Sequence, residues 1–321
     1  MLFRQLEYFV AVTRERHFAR AAEACYVSQP ALSAAIARLE RELSVTLINR
    51  GHNFEGLTPE GERLVVWAKR ILAEHDAFKA EAIAMKSGIA GTLRLGTGPT
   101  VSPTAGLPVA AFCDLHPLAR VQVWSRMSST ELRRQLRDFE LDAAIAHFDP
   151  VDHDGLTVVP LYEERYVLLV SGDQIAPSAH EISWAEAAQL PLALLAPDMR
   201  FRQCIDGAFR ALGVTATPQV ETDSVASLYA HVATGMWASV VPHTWLRAIP
   251  AAGGTRAIRL TEPDCKAQIS VAIRAGNRAS VAARSFLNVA ADLVLAEVFE
   301  PDAAGSDSST SGLAFRQVKA L

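Results

Sequence analysis

The segment from Phe18 to Ser33 constrains this chain more than any other, because it reads as two short helices joined by a tight turn. Ala21, Ala22 and Cys25 stand at the spacing that puts side chains on one helix face, so the first helix packs closely on a neighbour. Ser28 suits an N-cap, and Pro30 falls in the first turn, where its missing N–H costs little. In the second helix Leu32, Ile36, Leu39 and Leu43 predict one buried stripe. Pro30, Ala34, Ala37 and Arg41 then face outward, with Gln29 and Ser33 at the amino end. Such a face fits a DNA groove. Small side chains allow close approach, Gln29 and Ser33 offer hydrogen bonds to base edges, and Pro30 or Ala34 meets a thymine methyl. On this segment alone a nucleic-acid reader and an ordinary helical hairpin both stand.

The flanks narrow the choice. Leu47–Arg50 is a short apolar run ending in a cation, and 51–58 carries the turn residues of a small hairpin, as a wing does. Upstream, Leu2, Leu6, Phe9, Val10 and Thr13 predict an opening helix, which completes a winged helix-turn-helix over 1–58.

The run FARAAEACYVSQPALSAAIARLERELSVTLINR, followed by LTPEGERL, is similar to the LysR-type transcriptional regulators. The resemblance spans roughly residues 1–300. It implies that Gln29, Pro30 and Ser33 contact DNA and that Arg50 supports the wing or reaches a phosphate. Three positions depart from the family pattern. Ser44 stands where a glycine usually ends the second helix with a positive φ, at some cost in stability. Ala34 replaces a polar or basic residue and removes one base contact, and Cys25 replaces a leucine.

Residues 1–58 hold seven arginines against six glutamates, and the whole chain has a net charge of −4. That balance disfavours charge-driven, unspecific nucleic-acid binding and leaves local phosphate contacts, which a dimer doubles. The opening segment has no signal-peptide character and no run is apolar enough to span a membrane, so a cytoplasmic protein is expected. Cys25, Cys113, Cys204 and Cys265 form no CxxC pair and predict neither a zinc site nor a disulfide scaffold.

Thr58 and Pro59 predict the start of a long helix over 59–87, about 43 Å in length. Leu64, Ala68, Ile71, His75, Phe78, Ala82 and Met85 alternate in steps of four and three, a heptad seam. That seam predicts a dimerising linker over 59–89; packing against the chain's own regulatory domain is the alternative. His75 is either a pH-sensitive element or a packed edge.

Residues 88–91 break the helix, and strand-like 92–96, 121–124, 143–146 and 166–170 alternate with helical 106–115 and 129–139. This is the rhythm of an α/β domain. Two helix starts rich in hydroxyls, 97–103 and 128–131, offer anion-binding amides, with Ser128 and Glu131 able to form a capping box; from the residues alone, plain capping is the favoured explanation of both. The family resemblance implies a two-lobed, periplasmic-binding-protein-like effector domain over 90–300, with two crossover segments. Lobe I is expected at about 90–161 and 266–300, and lobe II at about 162–265. The effector then sits between lobes, lined by Thr100, Ser129, His147, Phe201 and Thr222. The tail at 301–321 has a composition that predicts flexibility.

The fold expected is therefore mixed: an all-α winged helix-turn-helix, a long coiled-coil linker helix, and an α/β two-lobed domain. The function expected is a DNA-binding regulator, not an enzyme, with no cofactor and no metal, since no catalytic or ligand motif is visible. Its partners would be double-stranded DNA bearing an interrupted inverted repeat, a small-molecule effector and RNA polymerase. It would act as a homodimer that pairs again into a homotetramer. Cys25 reads either as a small buried hydrophobe or as an oxidisable thiol whose adduct would loosen the first reader helix. Cys204 and Cys265 lie far apart in sequence and do not form the close pair found in peroxide-sensing relatives. A solute-binding protein or a transferase on the same two-lobed fold is the competing class, disfavoured by the missing export signal and missing catalytic groups.

Overall fold

A computed structural model describes residues 1–50, 54–172, 174–249 and 254–299. The expected wing tip at 51–53 and tail at 301–321 lie outside the described residues. The chain forms two compact units, one of Met1–Ile89 with Arg137–Glu140 and one of Ala90–Leu136 with the chain from Leu141.

The first unit runs α1 (Phe3–Glu15), α2 (Phe18–Ala24), α3 (Gln29–Leu43), the antiparallel strands β1 (Ile48–Arg50) and β2 (Phe54–Leu57), and α4 (Pro59–Ser87). Helix α2 is too short to persist alone. It is held by the buried methyl groups of Ala21 and Ala22 in a core that also contains Leu6, Phe9 and Val12 of α1, and Leu32, Ile36 and Leu39 of α3. Two members of the expected stripes fall outside that core. Leu43 is the last residue of α3 and is 39% exposed, while Leu2 only caps α1 and is 62% exposed. The buried positions of α1 fall instead at Gln5, Leu6, Phe9, Ala11 and Val12.

The Thr58 hydroxyl donates to the Thr46 carbonyl at 2.6 Å and accepts the Gly61 amide at 2.9 Å, tying the start of α4 to the segment before β1. Gly61 is required there, because a Cβ would collide with the Leu47 carbonyl oxygen. The heptad seam of α4 then divides. Leu64, Ala68 and Ile71 pack into the core of their own unit, whereas Phe78 and Met85 are 75% and 80% exposed. His75 lies between the two regimes, its ring stacked on Phe3 with centroids 4.1 Å apart.

In the second unit β3 (Gly91–Thr97) pairs in parallel with β4 (Ala119–Trp124) and β5 (Ala143–Ala146), with α5 (Gly106–Leu115) and α6 (Ser129–Arg137) as crossovers. Then comes β6 (Leu156–Ser171), longer than the 166–170 strand expected from sequence. Next are β7 (Glu181–Ser183), α7 (Trp184–Ala187), β8 (Ala193–Leu195), α8 (Arg200–Ala211), β9 (Val220–Thr222), α9 (Val225–Ala233), β10 (Ser239–Pro242) and α10 (Trp245–Ala248). β11 (Thr255–Thr261), β12 (Lys266–Arg274), α11 (Val281–Asp292) and α12 (Leu295–Phe299) complete the unit.

The main sheet has the order β4-β3-β5-β12-β6-β11-β7, with β10 also on β6, and β8-β9 form a separate pair. β6 serves both lobes. Its residues up to Arg165 pair with β12, and from Tyr166 onward they pair with β10 and β11. Tyr162, Glu164, Tyr166, Leu168 and Val170 are all buried, so one face of the strand faces inward on both sides of that hand-over. The return connection is the turn 262–265 between β11 and β12.

Candidate nucleic-acid interface and inter-lobe site

Helix α3 is presented by its caps and its core. Ser28 Oγ accepts the Ala31 amide at 3.4 Å, and Ser44 closes the other end in the left-handed region at φ 56. The serine thus adopts the backbone that its position favours a glycine for. Burying Leu32, Ile36 and Leu39 turns the opposite face outward. Gln29, Pro30 and Ala34 are exposed and Ser33 is half-buried at the edge. The wing is fixed to this helix by Glu40, whose Oε1 accepts the Leu47 and Ile48 amides at 2.9 and 3.3 Å. Arg50 ends β1, and its side chain lies outside the described residues. Tyr26, in the turn between α2 and α3, is 96% exposed at φ 57; no periodicity in the sequence marks it. Cys25 caps the C-terminus of α2 and packs at the margin of the core. Burial raises its pKa, Arg14 opposes, and Glu7 and Glu15 add to the rise, which lowers its thiolate fraction and suits a packing role.

Within the second unit the structure brings together part of the expected effector set. Ser129 Oγ donates to the His147 carbonyl at 2.8 Å. The His147 ring contacts the Gln268 carbonyl and Asp149 Oδ1, each at 3.1 Å, and Arg200 donates to the same Asp149 oxygen at 3.0 Å. Asp149 is pulled below the usual carboxylate range although burial opposes this, because His147 and Arg200 both stabilise the anion. Asp149 and Arg200 therefore join lobe I to lobe II, and Arg126 and Asp223 form a second bridge. Spacing in the sequence marked none of these four charges.

Thr222 stands beside Asp223, and its hydroxyl accepts the Ser224 amide at 3.2 Å. Thr100 uses its carbonyl to accept Trp245 Nε1 at 2.8 Å. Phe201 is only 8% exposed, stacked on Trp245 and edge-on to Tyr166, so it builds the lobe II core beside Arg200. The expected Ser128–Glu131 box is half-formed. Ser128 Oγ accepts the Glu131 amide, but the Glu131 carboxylate turns to Arg134 and Gln135, which hold its pKa at about 2. Thr97, at the carboxyl end of β3, has a fully buried hydroxyl without a hydrogen-bond partner among the described residues.

The crossover strand carries one further polar group. Glu164 is fully buried, its Oε1 accepting the Thr244 hydroxyl at 3.1 Å, and desolvation pushes its pKa up to about 8. Beside it in β6, Tyr162 and Thr104 share a hydrogen bond at 2.6 Å.

Comparison with known proteins matches both units. The model "Bacterial regulatory helix-turn-helix protein, lysR family" covers residues 3–62, and "LysR substrate binding domain" covers 86–294. A probable hydrogen peroxide-inducible genes activator from Streptomyces viridosporus is 33% identical over 277 residues, 85% of this chain and 88% of that protein. The DNA-binding transcriptional dual regulator OxyR of Escherichia coli (strain K12) is 33% identical over 197 residues, covering 61% of each chain. Among solved structures, a full-length OxyR variant from Pseudomonas aeruginosa aligns with a TM-score of 0.72 at 27% identity, covering 96% of this chain and 99% of that one. CbnR complexed with its target DNA shares the fold, with a TM-score of 0.64 at 24% identity over 90% of this chain and all of that one.

Proposed function

The chain belongs to the LysR family of bacterial helix-turn-helix regulators, and from that premise we propose a peroxide-responsive, homodimeric reader of an interrupted inverted repeat. The observation that carries the DNA-reading part is the outward face of α3, where Gln29 and Pro30 stand exposed on a helix fixed by its own buried stripe. Gln29 and Ser33 read base edges, Pro30 sets the close approach, and Arg50 serves the wing or a phosphate. Pairing follows from the outer half of the α4 seam, where Phe78 and Met85 are exposed among the described residues. Two such dimers form the tetramer that engages RNA polymerase in the cytoplasm. No catalytic turnover is assigned.

The effector domain acts as the switch. A signal that favours one lobe arrangement shifts the DNA-reading units by its differential affinity for the two states. Ser129, His147, Asp149 and Arg200 form the junction at which such a signal is read, with Thr100, Phe201 and Thr222 supporting the lobes around it. The relatives named as hydrogen peroxide-inducible activators supply the signal class. Cys25 oxidation is a secondary input, since an adduct there would press on the reader core.

Footprinting of the intergenic DNA beside the gene, with reduced and peroxide-treated protein, tests the reading. Two protected half-sites whose pattern changes on oxidation are expected. Sequence-independent protection in both states would sink it.

A further inference from the structure

Tyr26 combines a left-handed backbone with an almost fully solvated ring: its φ is 57 and its exposure 96%. Helix α2 closes there in a pair of hydrogen bonds, the Tyr26 amide donating to the Glu23 carbonyl and the Val27 amide to the Ala22 carbonyl, each at 3.0 Å. That closure needs a left-handed residue at 26, a place that glycine fills at least cost because a Cβ crowds the backbone in this region. The tyrosine gains no burial in exchange. Cys25 and Val27 on either side pack against the reader core, so the turn is pinned and the ring between them is sent outward. Two residues on, Ser28 caps α3, and Gln29 and Pro30 begin its exposed face. The ring is thus held just ahead of the helix end that reads bases.

We propose that Tyr26 is a further DNA-contact residue, whose phenol hydroxyl donates a hydrogen bond to a backbone phosphate at the edge of each half-site. The inference rests on the DNA-reading assignment of α3 and not on the response to peroxide. A helix that enters the major groove by its amino end has sugar–phosphate strands as its flanks, so a side chain just ahead of that end meets backbone rather than base edges. A strained residue with a solvated side chain marks a place where the strain serves a contact outside the protomer. The donor is also neutral, which suits a reader with few spare cations. Residues 1–58 hold seven arginines against six glutamates, and Arg14 and Arg38 are tied to Glu15 and Glu42 at 2.8 and 3.1 Å.

The contact differs in kind from those of Gln29, Pro30 and Ser33. It carries no sequence information and sets instead how deep and in what register α3 sits in the groove. A phenol bound to a phosphate oxygen makes a charge-assisted hydrogen bond, yet it neutralises no charge and releases no counterion. Its share of the affinity therefore persists at salt concentrations that weaken an arginine contact.

Fluorescence anisotropy of the full-length protein on the intergenic DNA beside the gene and on a random-sequence duplex, over a salt series, tests this. Tyr26→Phe keeps the ring and removes the hydroxyl. It should weaken binding to both duplexes about tenfold, with the slope of log affinity against log salt and the melting temperature unchanged. Tyr26→Gly should bind at least as weakly yet raise the melting temperature of the reader unit by about 4 °C, because the left-handed strain is relieved. A purely structural tyrosine would not move stability and binding in opposite directions. Replacing single phosphates of the intergenic duplex by methylphosphonate then locates the contact: at one linkage in each half-site the natural chain loses affinity and Tyr26→Phe loses no more. Undiminished binding by Tyr26→Phe, a loss confined to the intergenic duplex, a shallower salt slope, or linkages that affect both proteins alike would each overturn the contact. A natural chain that binds both duplexes equally, while Tyr26→Phe weakens both, upholds the contact and sinks the operator reading.

Discussion

In the first unit Leu32, Ile36 and Leu39 hold α3 from one continuous stripe and are completely buried. At the lobe junction His147 and Asp149, just after β5, meet Arg200 from the start of α8 through hydrogen bonds near 3 Å, and all three remain partly in water. The contrast is between a contact set that tolerates one arrangement and one that tolerates several. Close-packed apolar side chains lose their attraction over a fraction of an ångström. A half-exposed ion pair is worth about 1 kcal/mol or less and is exchanged readily for water or a ligand. A reader must keep its recognition face invariant while a switch must be re-set, and the two regions are built accordingly.

The sharpest way to break this comparison is at α3. Leu39→Ala should cost about 3 kcal/mol of stability in the reader unit and abolish operator binding, while the melting of the effector domain stays unchanged; differential scanning calorimetry with gel shifts measures both. The next effect concerns Glu164. Between the ordinary carboxylate range and about pH 8 the folded chain keeps a proton on Glu164 that the unfolded chain has released, so stability falls as pH rises through that window. Glu164→Gln should flatten that decline and stabilise the effector domain at pH 9 by about 2 kcal/mol. A urea series across pH 6 to 9 that shows the same slope in both proteins would remove the assignment.

The reader was legible because its information is local. Ser28, Pro30 and the Leu32–Leu39 spacing specify one helix, and Thr58 with Pro59 specify the start of another. Leu43 and Leu2 were misjudged at the helix ends, where periodicity continues but the core does not. The α/β rhythm was visible for the same reason. The junction was not. Asp149, Arg200, Arg126 and Asp223 are ordinary surface charges in sequence and become partners only when two lobes face each other. Phe201 was named by resemblance alone, and no spacing in the sequence signals its ring contacts with Trp245 and Tyr166.

Smaller perturbations sharpen the contrast. Gln29→Ala should weaken operator binding about tenfold, roughly 1.4 kcal/mol, without moving the melting temperature, and should relax discrimination at one base pair. Ser44→Gly should stabilise the reader unit by about 1 kcal/mol, because the position already has φ 56. Asp149→Asn should change stability by no more than about 0.5 kcal/mol, yet alter the response to oxidant in footprinting. A large loss of stability there would mean that the junction is structural after all.

The continuous inward face of β6 fixes what evolution can do to this domain. From Tyr162 to Leu168 the alternation runs through the hand-over without a break, so both lobes share a single count of residues. Substitutions at the exposed positions Glu163 and Arg165 leave that count intact. A deletion of one residue between them would not, since every side chain beyond it would turn to the opposite face of the strand. Lengthening or shortening the chain is therefore tolerated in the loops of either lobe and forbidden in the strand they have in common.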